Sequence, residues 1–439
     1  MQPLWPGFVF KAHQVAGITW MLKKERFSGG ILCDEMGLGK TMQMVGLIKN
    51  GINTSKRSLL VAPVAVLEQW ATVIKRSGMS VARPHHLGGW NTGRDEIQVC
   101  MIGYEMAARH PQLLAAYEWD RVIYDEAHRL ASGNKSTEIA ASLHGKMWLL
   151  TATPIVNSLK DMATLLKVVG VEIPGVLSMQ TMQPVIKSYV MARTMDQLRA
   201  AIPDAPPVPT YETHTLDFDT EDEAQFYKCM SGVIQKRWKA LASENALEKL
   251  QLFMRLRQLS LHPQVYIAAR KKALGALYNR PDWTGSSTKF EMINKLVTSG
   301  RWIVFCHFHK EMEMLKQMIG DRAQIYSGAQ NAAQKEAVIA WSHEAGDKVL
   351  LVQLQSGGVG LNLQHFNKVL FTGPWWTKAL MDQAVGRAVR MGQHDVVQVH
   401  HVILKEEEAI NIDALMQEKA SAKGELCRTA LEMATSIVH

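Results

Sequence analysis

DEMGLGKT, from Asp34 to Thr41, places two glycines, a lysine and a threonine at the spacing of an anion cradle. Glycine lets a backbone approach a phosphate closely and take left-handed dihedrals. The N–H groups of such a loop, with the N-terminus of a following helix, then face the anion. In that arrangement Lys40 reaches the β- and γ-phosphates and the Thr41 hydroxyl ligates Mg2+. The expected nucleotide-contacting set in this stretch is Asp34, Gly37, Leu38, Gly39, Lys40 and Thr41. The strict GxxxxGK[ST] pattern wants glycine at position 34, so Asp34 is a departure. A GxGKT run also occurs by chance in surface turns. Context separates the two readings: an apolar strand precedes this run, a helix follows it, and an acidic motif lies downstream.

That acidic motif is in WDRVIYDEAH, Trp119 to His128. An apolar strand ends at Asp125 and Glu126, and parallel α/β sheets bind ligands at the C-terminal ends of their strands. In isolation the pair is an ordinary solvated loop start. Downstream of a phosphate loop, Asp125 is expected to hold Mg2+, and Glu126 to orient and deprotonate an attacking water. His128 either links the nucleotide to another lobe or caps a loop. Arg387 and Arg390 stand three apart in QAVGRAVRMGQ (Gln383–Gln393), where helical spacing would project both from one face. A planar, always-charged guanidinium suits phosphate oxygens that gain charge in a transition state. The bland alternative is a basic helix face on a solvated DNA phosphate, and periodicity alone favours it. Gln383, one turn before Arg387, is a candidate to position it or touch ATP.

The elements that must position these groups alternate along the chain. Strand candidates in the first half are Gly29–Cys33, Ser58–Ala62, Ile97–Ile102, Arg121–Tyr124 and Met147–Leu150. Helical periodicity marks Thr41–Lys49 and Val64–Lys75 between them. The pattern predicts a parallel α/β sheet with helices on both faces. Ile202–Thr210 (IPDAPPVPT) is too proline-dense for a helix interior or a central strand and reads as a linker. A mostly helical stretch follows, from about Glu221 to Ala276. Strands resume at Trp302–Phe305, Ala323–Tyr326, Lys348–Val352, Lys368–Phe371 and Val397–Val402. The expected organisation is an ATP-binding lobe over 1–198, a linker over 199–210 and a second lobe over 211–439, with the helical elaboration at about 221–285.

Bulk composition agrees with an ordinary folded protein: 439 residues, 47% hydrophobic and 21% charged. No apolar run approaches the ~20 residues of a membrane helix. The opening MQPLWPGFVFKAHQ lacks the regions of a secretory leader, so an intracellular protein is expected. Its compartment would be the nucleus in a eukaryote and the cytoplasm for a virus, phage or bacterium. The cysteines, Cys33, Cys100, Cys229, Cys306 and Cys427, have no CxxC spacing and so exclude the usual zinc modules. A net charge of +8 suits a polyanionic partner without identifying one.

DEMGLGKT, DEAH and LLTATP (Leu149–Pro154), in this order, resemble superfamily-two helicase-like ATPases. The wording is closest to the Snf-type branch of DNA translocases. FKAHQVAGITWM (Phe10–Met21) is similar to that branch's adenine-recognition segment, with Gln14 as the reader. LLVAPVAVLEQW (Leu59–Trp70) is similar to its first DNA-contacting motif, and MRLRQLSLHP (Met254–Pro263) to its helical segment. IVFCHF (Ile303–Phe308), LQSGGVGLNL (Leu354–Leu363) and QAVGRAVRMGQ resemble its fourth to sixth motifs. The resemblance implies an α/β fold of two tandem RecA-like lobes with a helical insertion in the second. It further implies ATP and Mg2+ as cofactors, a monomeric motor, and double-stranded DNA, bare or bound by nucleosomes or other proteins, as partner. Lys40, Glu126, Arg387 and Arg390 would carry catalysis, the arginines acting on the γ-phosphate across a cleft. Pro63, Trp70, Tyr104, Gly357, Gly358, Trp375 and Trp376 would track DNA, although for the three tryptophans core packing is the plainer expectation. Two stretches depart from the branch: YVMARTM (Tyr189–Met195) keeps one arginine, Arg193, where two and a following lysine are usual, and GPWWTKAL (Gly373–Leu380) keeps the tryptophans but has Gly373, Thr377 and Lys378 where an acidic residue, Asn and Pro are usual. Rival readings are a strand-separating DNA or RNA helicase, a phosphate-loop switch or oligomeric ATPase, and a non-catalytic DNA-binding scaffold.

Overall fold

In the computed structural model, which describes residues 1–51, 57–85, 89–90, 98–115, 117–173, 175–242, 245–354 and 361–434, the apolar runs become strands. The chain forms two units, Met1–Ala205 with Ala422–His439, and Pro206–Ser421. In the first unit the strands are β1 (Gly30–Leu32), β2 (Arg57–Ala62), β3 (Ser80–Ala82), β4 (Gln98–Gly103), β5 (Arg121–Asp125), β6 (Lys146–Leu150) and β7 (Val190–Met191). Their order is β3-β4-β2-β5-β6-β1-β7, and every pairing is parallel. Such a sheet is covered on both faces, which is why its strands are continuous apolar runs. Leu59–Ala62 and Trp148–Leu150 are fully buried. Helices α1 (Ala12–Lys24), α2 (Lys40–Asn50) and α3 (Val64–Arg76) belong to this unit. β5 and β1 both pair with β6, so the acidic strand end and the phosphate loop share one edge of the sheet, a single strand apart.

The second unit holds β8 (Thr210–Leu216), β9 (Arg301–Cys306), β10 (Ala323–Tyr326), β11 (Lys348–Gln353), β12 (Lys368–Phe371) and β13 (Gln398–Leu404). Their order is β10-β11-β9-β12-β13-β8, again all parallel. The helical elaboration comprises Glu221–Ala240, Ala246–Leu261 and Pro263–Leu274, whose Phe226, Tyr227, Leu256 and Tyr266 share a core with Leu404, Ile412 and Met416. The architecture is α/β, two tandem RecA-like parallel-sheet lobes with a helical insertion in the second.

Three strands carry no signal in the sequence. β3 has three residues and β7 two. β8 is an edge strand, TYETHTL, whose exposed and half-buried polar residues reflect a strand with a neighbour on one side only. The chain end also differs from expectation: from Ala422 onward it groups with the first unit rather than the second. Cys427, Ala430 and Ala434, at helical spacing, join that unit's core. Among the described residues, no helix is long and apolar enough to cross a membrane.

Candidate functional site

The phosphate loop leaves the end of β1 and enters α2. Gly37 and Gly39 have φ of 87° and 79°, the left-handed region that glycine takes without strain. A Cβ on Gly39 would come within 2.5 Å of Gln14 Nε2, so Gln14 lies directly against the loop. The Gln14 side-chain oxygen Oε1 accepts from Lys11 N–H at 3.1 Å. His13, beside it on α1, bonds through Nε2 to the Leu38 carbonyl at 2.9 Å. The Leu38 side chain is in the core, so only its backbone is available to a phosphate. Lys40 Nζ lies over the loop and donates to the Asp34 carbonyl at 2.6 Å. Thr41 is half-buried in the first turn of α2.

Asp34 occupies a different place from the one expected. Its carboxylate is fully buried and takes a bidentate ion pair from Arg193, Nε to Oδ1 at 3.0 Å and Nη2 to Oδ2 at 2.6 Å. It therefore faces the protein interior and not a nucleotide.

At the end of β5, Asp125 accepts from Trp70 Nε1 at 2.8 Å and from the Glu126 N–H at 2.9 Å. Burial and then the Glu126 charge push its carboxyl up to about 6, against the Trp70 hydrogen bond and the Lys40 charge, which pull it down. Lys40 and Asp125 thus lie close enough to act on one another electrostatically. Glu126 has φ 52°, the one left-handed non-glycine residue among those described. Such backbone strain persists only where surroundings impose it and clusters at functional sites. His128 contacts Thr151 Oγ1 at 3.3 Å and lies 3.5 Å from Glu126 Oε2. Burial and then the Arg129 charge hold its pKa down at about 4, so it is neutral near pH 7. It bridges the acidic strand end to the LLTATP segment within the first unit.

Trp70 and Tyr104 do not offer a surface to DNA. Trp70 is 1% exposed and Tyr104 5%. The Tyr104 hydroxyl donates to the Asp125 carbonyl at 2.8 Å. Both aromatic side chains brace Asp125 from inside the lobe. Pro63 is buried at the start of α3, leaving Val64 exposed beside it.

In the second unit, Arg387 and Arg390 are not on a helix. The helix Lys378–Val385 ends at Gly386, and turns carry both arginines. Spacing by three therefore does not give them a common face. Arg387 is 3% exposed, whereas Arg390 is half-buried and donates from Nη1 to the Leu361 carbonyl at 3.5 Å. Gln383 is half-buried in that helix. Trp375 is buried and stacked on His307, with ring centroids 5.3 Å apart and planes within 5°. The Arg257 guanidinium covers it at 4.4 Å from the ring. Trp376 stacks on Phe253 at 4.1 Å. Packing accounts for both tryptophans. Gly357 and Gly358 lie outside the described residues.

Glu212, His214 and His400 bring potential metal-ligand atoms within 4.8 Å of one another. His214 Nε2 and His400 Nδ1 meet at 3.0 Å, with ring planes within 8° and centroids 5.3 Å apart. Tetrahedral ligand nitrogens about 2.0 Å from one ion stand ~3.3 Å apart, whereas these two are already at hydrogen-bond distance. The cluster is a hydrogen-bonded histidine pair.

Two parallel-sheet lobes, with a phosphate loop and an acidic strand end on one sheet edge, define a helicase-like ATPase of superfamily two. Residues 13–179 match the SNF2-related domain, and residues 288–392 the helicase conserved C-terminal domain. The probable global transactivator of Orgyia pseudotsugata multicapsid polyhedrosis virus is 28% identical, over 91% of this chain and 87% of that protein. The ISWI chromatin-remodeling complex ATPase CHR11 of Arabidopsis thaliana is 25% identical, over 88% of this chain and 40% of its own length. A Bacillus subtilis relative is also matched over only half its length, 50%. The Sulfolobus solfataricus SWI2/SNF2 ATPase core, solved in complex with dsDNA, matches over 99% of this chain and 98% of its own at 19% identity and TM-score 0.44. The chain belongs to the Snf-type branch of the superfamily-two helicase-like ATPases.

Proposed function

We propose that this ATPase is a translocase on double-stranded DNA, hydrolysing ATP with Mg2+ to move along DNA or remodel protein–DNA complexes. The observation that carries the ATP chemistry is the placement of the phosphate loop, at the end of β1, and the acidic end of β5 on one sheet edge a single strand apart, with Glu126 held in a strained backbone there. Two adjacent carboxylates, one of them raised to about 6, fit a divalent cation whose charge would relieve their repulsion. Thr41 and Asp125 would hold Mg2+, which when bound offsets phosphate charge. Gln14 contacts the base, the loop N–H groups and Lys40 bind the phosphates, and Glu126 takes the proton of the attacking water. By family resemblance, Arg387 and Arg390 would neutralise γ-phosphate charge that grows in the transition state.

Translocation rests on family membership and on the net charge of +8. Contacts to DNA would be mainly to phosphates, and so largely independent of base sequence. ATPase rates with duplex DNA, single-stranded DNA, RNA and nucleosomes, run side by side, test the reading. Duplex DNA should stimulate turnover most, and Lys40→Ala and Glu126→Gln should abolish it in folded protein. Turnover that persists in both variants sinks the assignment. Preferential stimulation by single strands or RNA favours a strand-separating helicase.

A further inference from the structure

Arg193 lies two residues beyond β7, on the stretch that leads out of the first unit, and is 1% exposed. Its side chain ties three elements together. It grips both Asp34 oxygens at the start of the phosphate loop. It donates from Nη2 to Gln43 Oε1 on α2 at 2.9 Å, and from Nη1 to the His13 carbonyl on α1. The same two partners also hold the other end of the loop. His13 Nε2 bonds to the Leu38 carbonyl at 2.9 Å, and Gln43 Nε2 donates to Asp34 Oδ2 at 2.9 Å and to the Leu38 carbonyl at 3.4 Å. Both ends of the loop, Asp34 and Leu38, are therefore pinned to one buried network with Arg193 at its centre.

The backbone runs parallel to these ties. Cys33 N–H donates to the Met191 carbonyl at 2.6 Å, and Glu35 N–H to the Arg193 carbonyl at 2.9 Å. The Glu35 carboxylate accepts from Met195 N–H at 2.6 Å. The space around the network is tight. A Cβ on Gly17 would stand 2.0 Å from Gln43 Oε1 and 2.9 Å from Arg193 Nη2, so α1 carries glycine where it passes the guanidinium. The ion pair also explains why position 34 is not glycine: glycine would leave a buried arginine without its counter-charge.

We propose that Arg193 is a positioning residue for nucleotide binding, setting the shape of the phosphate loop from inside the lobe through Asp34, Gln43 and the His13 carbonyl. It does not touch the nucleotide. A phosphate competes for the Lys40 ammonium, which bonds to the Asp34 carbonyl, so the loop base needs a tie independent of Lys40. Arg193 supplies that tie and links it to the Met191–Met195 segment.

The inference rests on the nucleotide-binding reading of the loop and is tested in the full chain by ATP KM, kcat and equilibrium binding of a fluorescent ATP analogue. Arg193→Lys keeps the charge but loses the two-pronged fork. The double variant Asp34→Asn/Arg193→Gln replaces the ion pair by neutral amides and avoids an unpaired buried charge that could unfold the lobe. Gly17→Ala presses on the network without altering any charge. Folded variants, checked by thermal melts, should show KM and analogue Kd raised about tenfold, equivalent to ~1.4 kcal/mol of lost binding. Turnover at saturating ATP should stay within about twofold, because ground-state binding is what is lost. A KM and Kd equal to wild type in folded Arg193→Lys and in the double variant overturn the proposal. A wild-type chain that binds no analogue overturns the nucleotide reading itself, which keeps the two failures distinct.

Discussion

Trp70→Phe separates two roles for one indole. Resemblance placed Trp70 in a DNA-contacting motif, with core packing the plainer expectation, and the structure buries it with Nε1 2.8 Å from Asp125 Oδ2. Phenylalanine keeps an aromatic ring in the site and removes the N–H. Asp125 then keeps only the Glu126 N–H, at 2.9 Å, of its two donors shown. Leaving one carboxylate oxygen unsatisfied costs roughly 1–3 kcal/mol of stability. Loss of a partner that orients a metal-binding carboxylate typically costs ~10–100-fold in metal affinity or activity. The assay is the Mg2+ concentration for half-maximal ATP turnover, with duplex-DNA affinity measured in parallel. The expected result is a Mg2+ requirement raised within that range and DNA affinity unchanged. An unchanged Mg2+ requirement with weakened DNA binding would refute the bracing role and restore the tracking one.

Three further outcomes are expected. Arg121 and Glu25 form a buried bidentate pair, 2.6 Å on each prong, with Trp148 Nε1 donating to the same carboxylate at 2.9 Å. Glu25→Leu strands the guanidinium and should cost about 3–5 kcal/mol by denaturant melt, and a loss under about 1 kcal/mol contradicts this. His262 is 2% exposed, its pKa is held at about 4 by burial, and its Nδ1 accepts from Gln264 N–H at 2.9 Å. The unfolded chain takes up that proton below about pH 6.5 and the folded chain does not, so the neutral-His262 contribution is present above 6.5 and lost as pH falls towards 4. His262→Asn keeps a capping acceptor without titrating, and should reduce the stability loss between pH 7 and pH 5 by up to about 2 kcal/mol, with parallel pH profiles as the contradicting result. Arg390→Ala should lower kcat by a factor approaching ~10³ with little change in nucleotide affinity, and equal losses in both would favour a DNA-phosphate role.

The layout of the candidate site was legible in the sequence where order along the chain fixes geometry. A strand, a glycine loop and a helix in succession place Lys40 and Thr41, and an apolar run ending in two carboxylates places Asp125 and Glu126 on the same sheet edge. The remainder depends on contacts between distant residues. Asp34 meets Arg193 from 159 residues away, and Trp70 meets Asp125 from 55 away. An aspartate in a glycine position was a visible oddity, but no local pattern names its partner. Helical spacing misled at Arg387 and Arg390 because Gly386 ends the helix before them. Of the strands missed, β3 and β7 are too short for a periodic signal, and β8 lies at an edge where its polar residues are exposed or half-buried.

Triplex displacement tests the central claim most directly. A short third strand bound in the groove of a duplex is pushed off by a motor that tracks duplex DNA, and the duplex need not open. The wild-type chain should release the third strand in the presence of ATP and Mg2+ while the duplex stays paired, and Glu126→Gln should release none. Duplex-stimulated ATP hydrolysis without displacement, or release accompanied by separation of the duplex strands, would contradict the account.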